Sequence, residues 1–312
     1  MRAAGSECGR RRATPDTSRV AGGRRALEAV TAYVRCPVCA GPVRPGDARV
    51  SCGRGHSFDI ARQGYLSLVG GRGHPGTGDS AAMVMARDRF LGGGHYQPVA
   101  DAVSALAARL DAGQPGLVLD LAGGTGYYLA RVLDALPARL GACVDLSAPA
   151  LRRAARAHPR AAALGADAWQ PLPLADDAAA LVLSVFGPRN AAEIRRVLAP
   201  GGALVVAIPG ADHLRELREP LGLIGIDERK AERLAEDYGG HADAAVTGLR
   251  YQLRLDHAAA GDLAAMGPSA RHIAPEALAA RVAALPVPVT VTVDVTVRSY
   301  QGLSTDRRTM AA

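Results

Sequence analysis

Four residues near the amino terminus are spaced as the ligands of a single metal ion. Cys36, Cys39, Cys52 and His56 follow the pattern C-x2-C-x12-C-x3-H, in a chain with only five cysteines. Thiolates and imidazoles at such spacings bind Zn²⁺ in small structural modules, and four protein ligands leave no open position for water. The pattern therefore predicts a structural Zn²⁺ site rather than unrelated structural cysteines. Residues 41–47 are predicted to be a turn between two short strands of this module.

The composition limits the number of domains and the compartment. At 312 residues the chain has room for about two domains of ordinary size. No apolar run approaches the roughly 18 residues of a membrane-spanning helix, and no apolar segment of the secretory type follows the amino terminus. Cysteines arranged as metal ligands suit a reducing compartment. We therefore expect a cytoplasmic protein without a membrane partner.

The first residues carry most of the net positive charge. The formal charge of the chain is +7, and residues 1–25 hold seven arginines against two acids, Glu7 and Asp16. This Arg-, Gly- and Pro-rich segment has little apolar surface to bury, so residues 1–30 are predicted to be a disordered tail. A nucleic-acid-binding arm and extra residues upstream of the true start explain the tail equally well.

From residue 116 onward, short apolar strands alternate with helices. Strands are predicted at residues 117–121, 141–144, 161–164, 179–186 and 203–208. Helices are predicted between them at residues 127–136, 149–157, 191–198 and 213–221. Continuous apolar strands that alternate with helices indicate a Rossmann-like α/β fold, with a mostly parallel sheet covered on both faces.

Elements before and after this repeat have their own signals. Ser80 is predicted to cap a helix over residues 81–91, and Pro98 is predicted to open a second helix over residues 99–110. Residues 287–297 alternate with a period of two, which favours an edge or antiparallel strand. Residues 248–255 are its predicted partner.

A glycine-rich loop joins the first strand of the repeat to its helix. Residues 120–126 read D-L-A-G-G-T-G. Glycines let the backbone turn sharply and approach a ligand closely, and the helix that follows offers free N–H groups. Dinucleotide-binding proteins also use such loops, but this one lacks the complete G-x-G-x-x-G fingerprint.

Three carboxylates favour S-adenosylmethionine (SAM) over a dinucleotide. Asp120 lies at the end of the first strand, where it can face the methionine amino group, and Asp145 ends the second, where it can accept both ribose hydroxyls. Asp167 ends the third strand, within reach of the adenine amino group. A solvated turn explains each acid alone but not all three together. The predicted cofactor contacts are Asp120, Ala122, Gly123, Gly124, Thr125, Gly126, Tyr127, Asp145, Asp167 and Ala168.

The residues that are missing restrict the methyl acceptor. Methylation of pyrimidine carbon 5 needs a cysteine nucleophile near the fourth or fifth strand, whereas Cys143 lies on the second. Methylation of exocyclic adenine nitrogens uses [DN]-P-P-[YFW] after the fourth strand, and residues 184–190 read S-V-F-G-P-R-N instead. Ring nitrogens, hydroxyls and small molecules remain possible acceptors. Phe186 and Asn190 are the predicted catalytic-pocket residues, and Trp169 is expected to pack in the core.

Several long motifs carry a family resemblance. C-P-V-C is followed by F-D-I-A-R-Q-G-Y-L-S-L at residues 58–68, G-D-S-A-A-M at residues 78–83, H-Y-Q-P at residues 95–98 and D-L-A-G-G-T-G-Y-Y at residues 120–128. From residue 35 to the end, the chain resembles the 23S ribosomal RNA (guanine-N1) methyltransferases. Three further stretches, residues 152–159, 185–190 and 265–269, make it most similar to the branch that confers tylosin- or mycinamicin-type macrolide resistance.

The resemblance implies a zinc ribbon on a SAM-dependent methyltransferase domain, often working as a dimer. The implied reaction is methylation of guanine N1 in the hairpin-35 loop of 23S ribosomal RNA. In this family the first position of the cofactor loop is usually glycine, and here it is Ala122. Alanine is expected to fit if its φ angle is negative.

Chemistry supports an RNA loop as the substrate. Guanine N1 is hidden in a duplex, so the enzyme needs an unpaired or extruded base, and RNA specificity is then read mainly through loop shape and splayed bases. The zinc module can supply the reading surface. The predicted phosphate contacts are Arg35, Arg44, Arg49, Arg54 and Arg62, for which ordinary solubility is the alternative explanation.

The predicted organisation is a tail (1–30), a zinc ribbon (31–68), a linker with helices (69–112) and a methyltransferase domain (113–312). Two other functions stay open. A tailoring methyltransferase for a small natural product would need an apolar substrate pocket and no ribbon. A non-catalytic zinc-containing regulator that binds nucleic acid would need no SAM.

Overall fold

The computed structural model describes residues 17–69, 78–225 and 243–303, together with Leu234 and residues 236–238. Residues 1–16 of the predicted tail lie outside the described residues, as do residues 70–77 of the predicted linker. None of the helices in the described segments is long and apolar enough to cross a membrane.

The zinc module is a small antiparallel sheet. Its strands β1 (Val43–Pro45), β2 (Arg49–Cys52) and β3 (Ser57–Asp59) pair in that order. The predicted turn over residues 41–47 is wrong for β1, because Val43 is buried and pairs with Cys52. The turn is shorter, and the Gly46 N–H closes it by donating to the Arg49 carbonyl at 2.8 Å.

The main sheet has eight strands. They are β4 (Leu66–Ser67), β5 (Leu117–Leu121), β6 (Gly141–Asp145), β7 (Ala161–Gly165), β8 (Ala179–Val185), β9 (Leu198–Pro209), β10 (Asp243–Leu255) and β11 (Val289–Gln301). Their order is β10-β11-β9-β8-β5-β6-β7-β4, and only the pairs that involve β11 are antiparallel. The predicted mostly parallel α/β sheet is confirmed. All residues of β5, β7 and β8 are buried, as expected for a sheet covered on both faces.

Nine α-helices lie within residues 17–69, 78–225 and 243–303. They are α1 (Thr17–Val30), α2 (Ala81–Gly92), α3 (Gln97–Leu110), α4 (Tyr127–Ala135), α5 (Ala148–Ala154), α6 (Ala191–Val197), α7 (Arg215–Leu221), α8 (His257–Ala265) and α9 (Pro275–Ala283). The predicted cap of α2 is confirmed, since Ser80 Oγ accepts the Met83 N–H at 3.2 Å. Pro98 lies in the first turn of α3, where its missing N–H has no intrahelical partner to lose.

The carboxyl-terminal strand is antiparallel but not at an edge. β11 pairs with β10 on one side and with β9 on the other, so β10 is the edge strand. Alternate residues of β11 are fully buried, namely Val291, Val293, Val295 and Val297. The period of two in the sequence therefore reports one face of an interior strand.

The predicted disorder of residues 1–30 is wrong for residues 17–30, which form α1. This helix packs against β6 and β7, and Ala26, Leu27 and Val30 are at most 2% exposed. These three side chains lie on one face of the helix, so the segment does bury apolar surface. Because arginines and glycines surround these three residues, the average composition of the segment does not show the short apolar stripe.

The zinc module is joined to the main sheet by backbone contacts. The Arg35 N–H donates to the Pro173 carbonyl at 2.9 Å, and the Ala175 N–H donates to the Tyr33 carbonyl at 2.8 Å. Immediately after the module, β4 extends the main sheet by pairing with β7. The module is thus connected to the catalytic domain both by hydrogen bonds to the segment before β8 and by β4.

Candidate active site and zinc site

The four predicted metal ligands come together in space. Their ligand atoms all lie within 4.8 Å of one another. Cys39 Sγ is 3.7 Å from Cys52 Sγ, and His56 Nδ1 is 3.6 Å from Cys36 Sγ and 3.3 Å from Cys52 Sγ. A tetrahedral Zn²⁺ with Zn–S bonds of about 2.3 Å places its sulfur atoms roughly 3.8 Å apart. The donor set and its spacing therefore fit zinc held through three thiolates and one imidazole.

Two tight turns build this arrangement. The Ala40 N–H donates to the Cys36 carbonyl at 2.8 Å, and the Gly55 N–H donates to the Cys52 carbonyl at 3.0 Å. Ala40 (φ 56°) and Gly55 (φ 83°) have left-handed backbone conformations, which turn the chain back toward the ligands. Cys36 and Cys52 are buried, whereas Cys39 and His56 are partly exposed. The side of the site that faces the protein core is therefore shielded from solvent, whereas the side of Cys39 and His56 is partly open to it.

A cavity of about 410 Å³ opens at the carboxyl ends of β5, β6, β7 and β8. Among the predicted cofactor residues it is lined by Asp120, Ala122, Gly123, Gly124, Thr125, Tyr127, Asp145, Asp167 and Ala168. Gly126 is not a lining residue. It precedes α4 with φ 76°, and a Cβ at this position would lie 3.1 Å from the Cβ of Ala157. This Cβ would also lie 3.2 Å from the Cα of Ala154, so glycine lets the start of α4 lie close to the end of α5.

Asp120 places an unpartnered carboxylate in the cavity wall. The residue is 1% exposed, and neither carboxylate oxygen has a hydrogen-bond partner among the described residues. Burial and the nearby charge of Asp145 raise the pKa of Asp120 to about 8. A buried acid without a donor is costly unless a ligand supplies one. This atom pair fits the amino group of SAM.

The other two acids are fixed by backbone N–H groups. Asp145 accepts the Gly124 N–H at 2.9 Å and the Ser147 N–H at 2.8 Å, which aligns its carboxylate beside the glycine loop. Burial raises the pKa of Asp145. Asp167 accepts the Trp169 N–H at 2.9 Å. All three acids therefore lie at successive strand ends and line one cavity.

Ala122 has a positive φ of 52°, so the condition under which alanine was expected to fit this loop is not met. A left-handed alanine costs roughly 1–2 kcal/mol. The cofactor loop thus keeps the backbone shape of a glycine although the residue is alanine. Gly187 lies close to Leu121 and Ala122. A Cβ added at Gly187 would lie 3.0 Å from the Leu121 carbonyl oxygen.

The two predicted catalytic-pocket residues have different positions. Phe186 lines the cavity, is 37% exposed and has a φ of 56°. Asn190 is not a lining residue. Its side chain caps α6 by accepting the Glu193 N–H at 3.3 Å, and it donates to the Trp169 carbonyl at 3.1 Å. Asn190 therefore connects two loops at the cavity rim.

Trp169 does not pack in the core, contrary to expectation. It lines the cavity and is 62% exposed. Its loop bends back after β7, because Asp167 accepts its N–H, and this places the ring at the rim rather than beneath the sheet.

Sequence reasoning missed a charged group on the opposite wall. Asp79 pairs with Arg87 and, at 3.0 Å, with Arg271, and Arg87 also donates to the Met266 carbonyl at 2.8 Å. The two arginines come from α2 and from a short 3-10 turn far along the chain. The motifs around residues 78–91 and 266–269 were the only signal for it.

The predicted RNA-binding arginines also divide into two groups. Arg35 is half-buried, and its guanidinium donates to the Val34 carbonyl at 3.0 Å. The other four are exposed: Arg44, Arg49, Arg54 and Arg62. Arg44 and Arg54 line one groove of about 440 Å³ beside Cys39 and Cys52.

The fold and the two sites define a class: a SAM-dependent methyltransferase that carries a zinc ribbon. Residues 34–70 match the family model for the N-terminal zinc ribbon of RlmA, and residues 118–202 match a methyltransferase domain.

Comparison with curated proteins gives the family. The chain is 49% identical over 269 residues to a 23S rRNA (guanine(748)-N(1))-methyltransferase from Streptomyces fradiae, covering 86% of this chain and 96% of the relative. It is 47% identical over 287 residues to a putative 23S rRNA (guanine-N(1)-)-methyltransferase from Micromonospora griseorubida, covering 86% and 97%. A Bacillus subtilis relative of the same description is 31% identical over 59% of this chain and 67% of its own. The chain belongs to the 23S rRNA (guanine-N1) methyltransferase family.

Proposed function

We propose that this protein methylates N1 of a guanine in the hairpin-35 loop of 23S ribosomal RNA and thereby confers macrolide resistance. The observation that carries the proposal is the match to two relatives over nearly their whole length, which includes both the ribbon and the catalytic domain. The cavity and the metal site described above supply the parts that this reaction needs. Because ribosomal RNA is the substrate, the protein acts in the cytoplasm.

The acids of the cavity hold the cofactor. Asp120 accepts from the amino group of SAM, which supplies the donor that this carboxylate lacks within the protein. Asp145 binds the ribose hydroxyls, and Asp167 with Ala168 borders the adenine. SAM supplies an electrophilic methyl group on a sulfonium. Gly123 and Gly124 keep the wall thin enough for that ligand to reach the carboxylates.

Among the described residues, no cysteine is placed to form a covalent intermediate. Cys143 is fully buried and does not line the cavity, and burial raises the pKa of its thiol well above the usual range. The acceptor nitrogen must therefore attack directly. An unpaired guanine enters beside Phe186, whose partly exposed ring offers a stacking surface for the base.

The ribbon binds the RNA backbone. Arg44 and Arg54 share one groove and have no partner among the described residues, so both are free for phosphate, and Arg49 and Arg62 extend the exposed charge. Arg35 contributes less, because its guanidinium already binds local carbonyls. The fixed contact between ribbon and sheet sets the distance from bound phosphate to the cavity. A homodimer, as the family resemblance implies, is part of the proposal and is tested by light scattering.

The test is methylation of ribosomal RNA and of a hairpin-35 transcript by the purified protein. We expect 1-methylguanine in nuclease digests by mass spectrometry and one new primer-extension stop in the loop, with macrolide tolerance in cells that express the protein. The variant Asp145→Ala should lose both signals and the binding of SAM in calorimetry. A folded protein that binds SAM but leaves both RNAs unmodified overturns the proposal and favours a small-molecule acceptor.

A further inference from the structure

A buried tyrosine and a histidine form a pair beside the acceptor end of the cavity. Tyr96 lines the cavity and is 3% exposed, and its hydroxyl oxygen is 3.1 Å from His213 Nε2. The ring of Phe186 lies 5.9 Å from the His213 ring, nearly parallel to it, and 6.0 Å from the Tyr96 ring. The pair therefore supports the aromatic side chain on which we place the guanine.

The surroundings of His213 fix which atom donates. The Asp294 N–H donates to His213 Nδ1 at 3.3 Å, so Nδ1 carries no proton. Burial lowers the pKa of His213 to about 4, which keeps the ring neutral near pH 7. A neutral imidazole with an unprotonated Nδ1 carries its proton on Nε2. His213 therefore donates to the Tyr96 oxygen.

This assignment leaves the phenol hydrogen of Tyr96 unused. No acceptor for it is found in the described part of the chain, and burial raises the pKa of Tyr96 so that the hydroxyl stays protonated. A buried hydroxyl with a spare hydrogen and a fixed oxygen is a directed donor. Its ring contacts with Phe90 and Phe186 hold the phenol in place.

We propose that the Tyr96 hydroxyl donates a hydrogen bond to the O6 carbonyl of the target guanine, with His213 as its positioning residue. The inference rests on the proposed function. In the transfer, guanine N1 forms a bond to the methyl carbon, and the bond from that carbon to the cofactor sulfur breaks with its electron pair left on sulfur. The N1 proton passes to water. Loss of this proton leaves negative charge on N1 that is shared with O6, so a donor at O6 stabilises the deprotonated guanine that attacks the methyl carbon.

The test compares Tyr96→Phe with the wild type on a synthetic RNA hairpin. Loss of one such donor lowers kcat by about 10²-fold, while SAM affinity stays within twofold because the ring is retained. Tyr251→Phe is the matched control. Its hydroxyl donates to the His95 carbonyl at 3.0 Å and does not line the cavity, so its kcat should stay at the wild-type value. Equal kcat for Tyr96→Phe and wild type overturns the inference.

Substrate and rescue experiments separate contact from structure. Replacing the target guanine with 6-thioguanine puts a weak hydrogen-bond acceptor in place of O6. This substrate should lower kcat of the wild type but lower kcat of Tyr96→Phe little further. If the two changes lower kcat independently, so that their effects multiply, the contact is contradicted. His213→Gln keeps a donor toward Tyr96 and should retain most of kcat, whereas His213→Leu should fall to the level of Tyr96→Phe. Equal kcat values for His213→Gln and His213→Leu would contradict the positioning role of His213. If the wild type itself leaves the hairpin unmodified, the proposed function fails first, and the two failures are thereby distinguished.

Discussion

Gly123 passes directly over the carboxylate of Asp120. A Cβ added at Gly123 would lie 2.5 Å from Asp120 Oδ2 and 2.8 Å from Cys143 Sγ, closer than real carbon contacts allow. The glycine is thus required by the packing around the cofactor carboxylate, independently of its φ angle. The relationship ties a residue of the loop to the charge that we assign to SAM binding.

We therefore expect Gly123→Ala to weaken SAM binding by at least about 30-fold. The methyl group must displace the Asp120 carboxylate, and a misplaced charged group costs a factor of this size or more. Isothermal calorimetry measures the change in Kd. Gly92→Ala is the control, because Gly92 has open space around its Cβ and should leave Kd unchanged. Equal Kd for Gly123→Ala and wild type contradicts the assignment of Asp120.

Asp120 should make the stability of the SAM-free protein depend on pH. Its pKa is raised on folding from 3.8 to about 8. An acid with a raised folded-state pKa favours the folded state below its unfolded pKa, and this advantage is lost as the pH rises through the folded value. The contribution therefore declines between about pH 4 and pH 8. Removing the ionisable group removes the decline.

The measurement is the melting temperature of Asp120→Asn and wild type at pH 5 and pH 8. From pH 5 to pH 8 the melting temperature of Asp120→Asn should rise by several degrees relative to that of the wild type. The variant should also lose SAM binding. Asp101→Asn, at an exposed position of α3, is the control and should show no such gain. A constant difference between Asp120→Asn and wild type would show that the carboxyl ionises freely in the folded state.

Ala122→Gly should stabilise the protein by about 1 kcal/mol. Glycine adopts a positive φ without strain, and the relief exceeds the added entropy of the unfolded chain. Urea denaturation measures the change. Ala135→Gly in α4 is the opposite case, since Ala135 is exposed in a helix, and it should destabilise by about 0.5–1 kcal/mol. A loss of stability for both variants would mean that Ala122 is not strained.

Local patterns predicted the elements between residues 117 and 221 to within a few residues, but they did not predict α8, α9 or the contacts that bring distant segments together. Burial with a period of two or of 3.6 reports which face of an element is covered, and that suffices for β5 or α3. Tyr96, His213 and Asp294 come from three separate elements, and no spacing in the sequence indicates that they meet. The same holds for Asp79 and Arg271. Of these residues, only Asp79 and Tyr96 lie within motifs of the family resemblance, at residues 78–83 and 95–98.

The expectations for Ala122 and for residues 17–30 were not met for a different reason. The loop forces a φ that the residue type disfavours, so tertiary packing overrides local preference. In α1 a three-residue apolar stripe stabilises a helix against the sheet even though its composition resembles a disordered tail. In contrast, the zinc ligands were predictable because their spacing is set by the metal itself.

Removal of zinc should destabilise the whole protein rather than the ribbon alone. Cys36 and Cys52 share a hydrophobic core with Leu164 and Leu174 of the catalytic domain. We expect one cooperative melting transition that shifts to lower temperature after treatment with a strong chelator, and recovers when Zn²⁺ is added back. Two separate transitions, with the catalytic one unmoved, would show that the ribbon folds independently.

Replacing Arg44 and Arg54 together with Gln should weaken RNA binding without affecting the cofactor. Each phosphate contact contributes about 0.7–0.9 to the slope of log affinity against log salt concentration, so the slope should fall by up to about 2. Fluorescence anisotropy with the hairpin at several salt concentrations measures it, and calorimetry should give an unchanged Kd for SAM. Arg109→Gln, exposed on α3, is a control that removes one positive charge outside the ribbon, and it should keep the wild-type slope. A double variant with the wild-type slope would exclude the groove beside the zinc as the phosphate site.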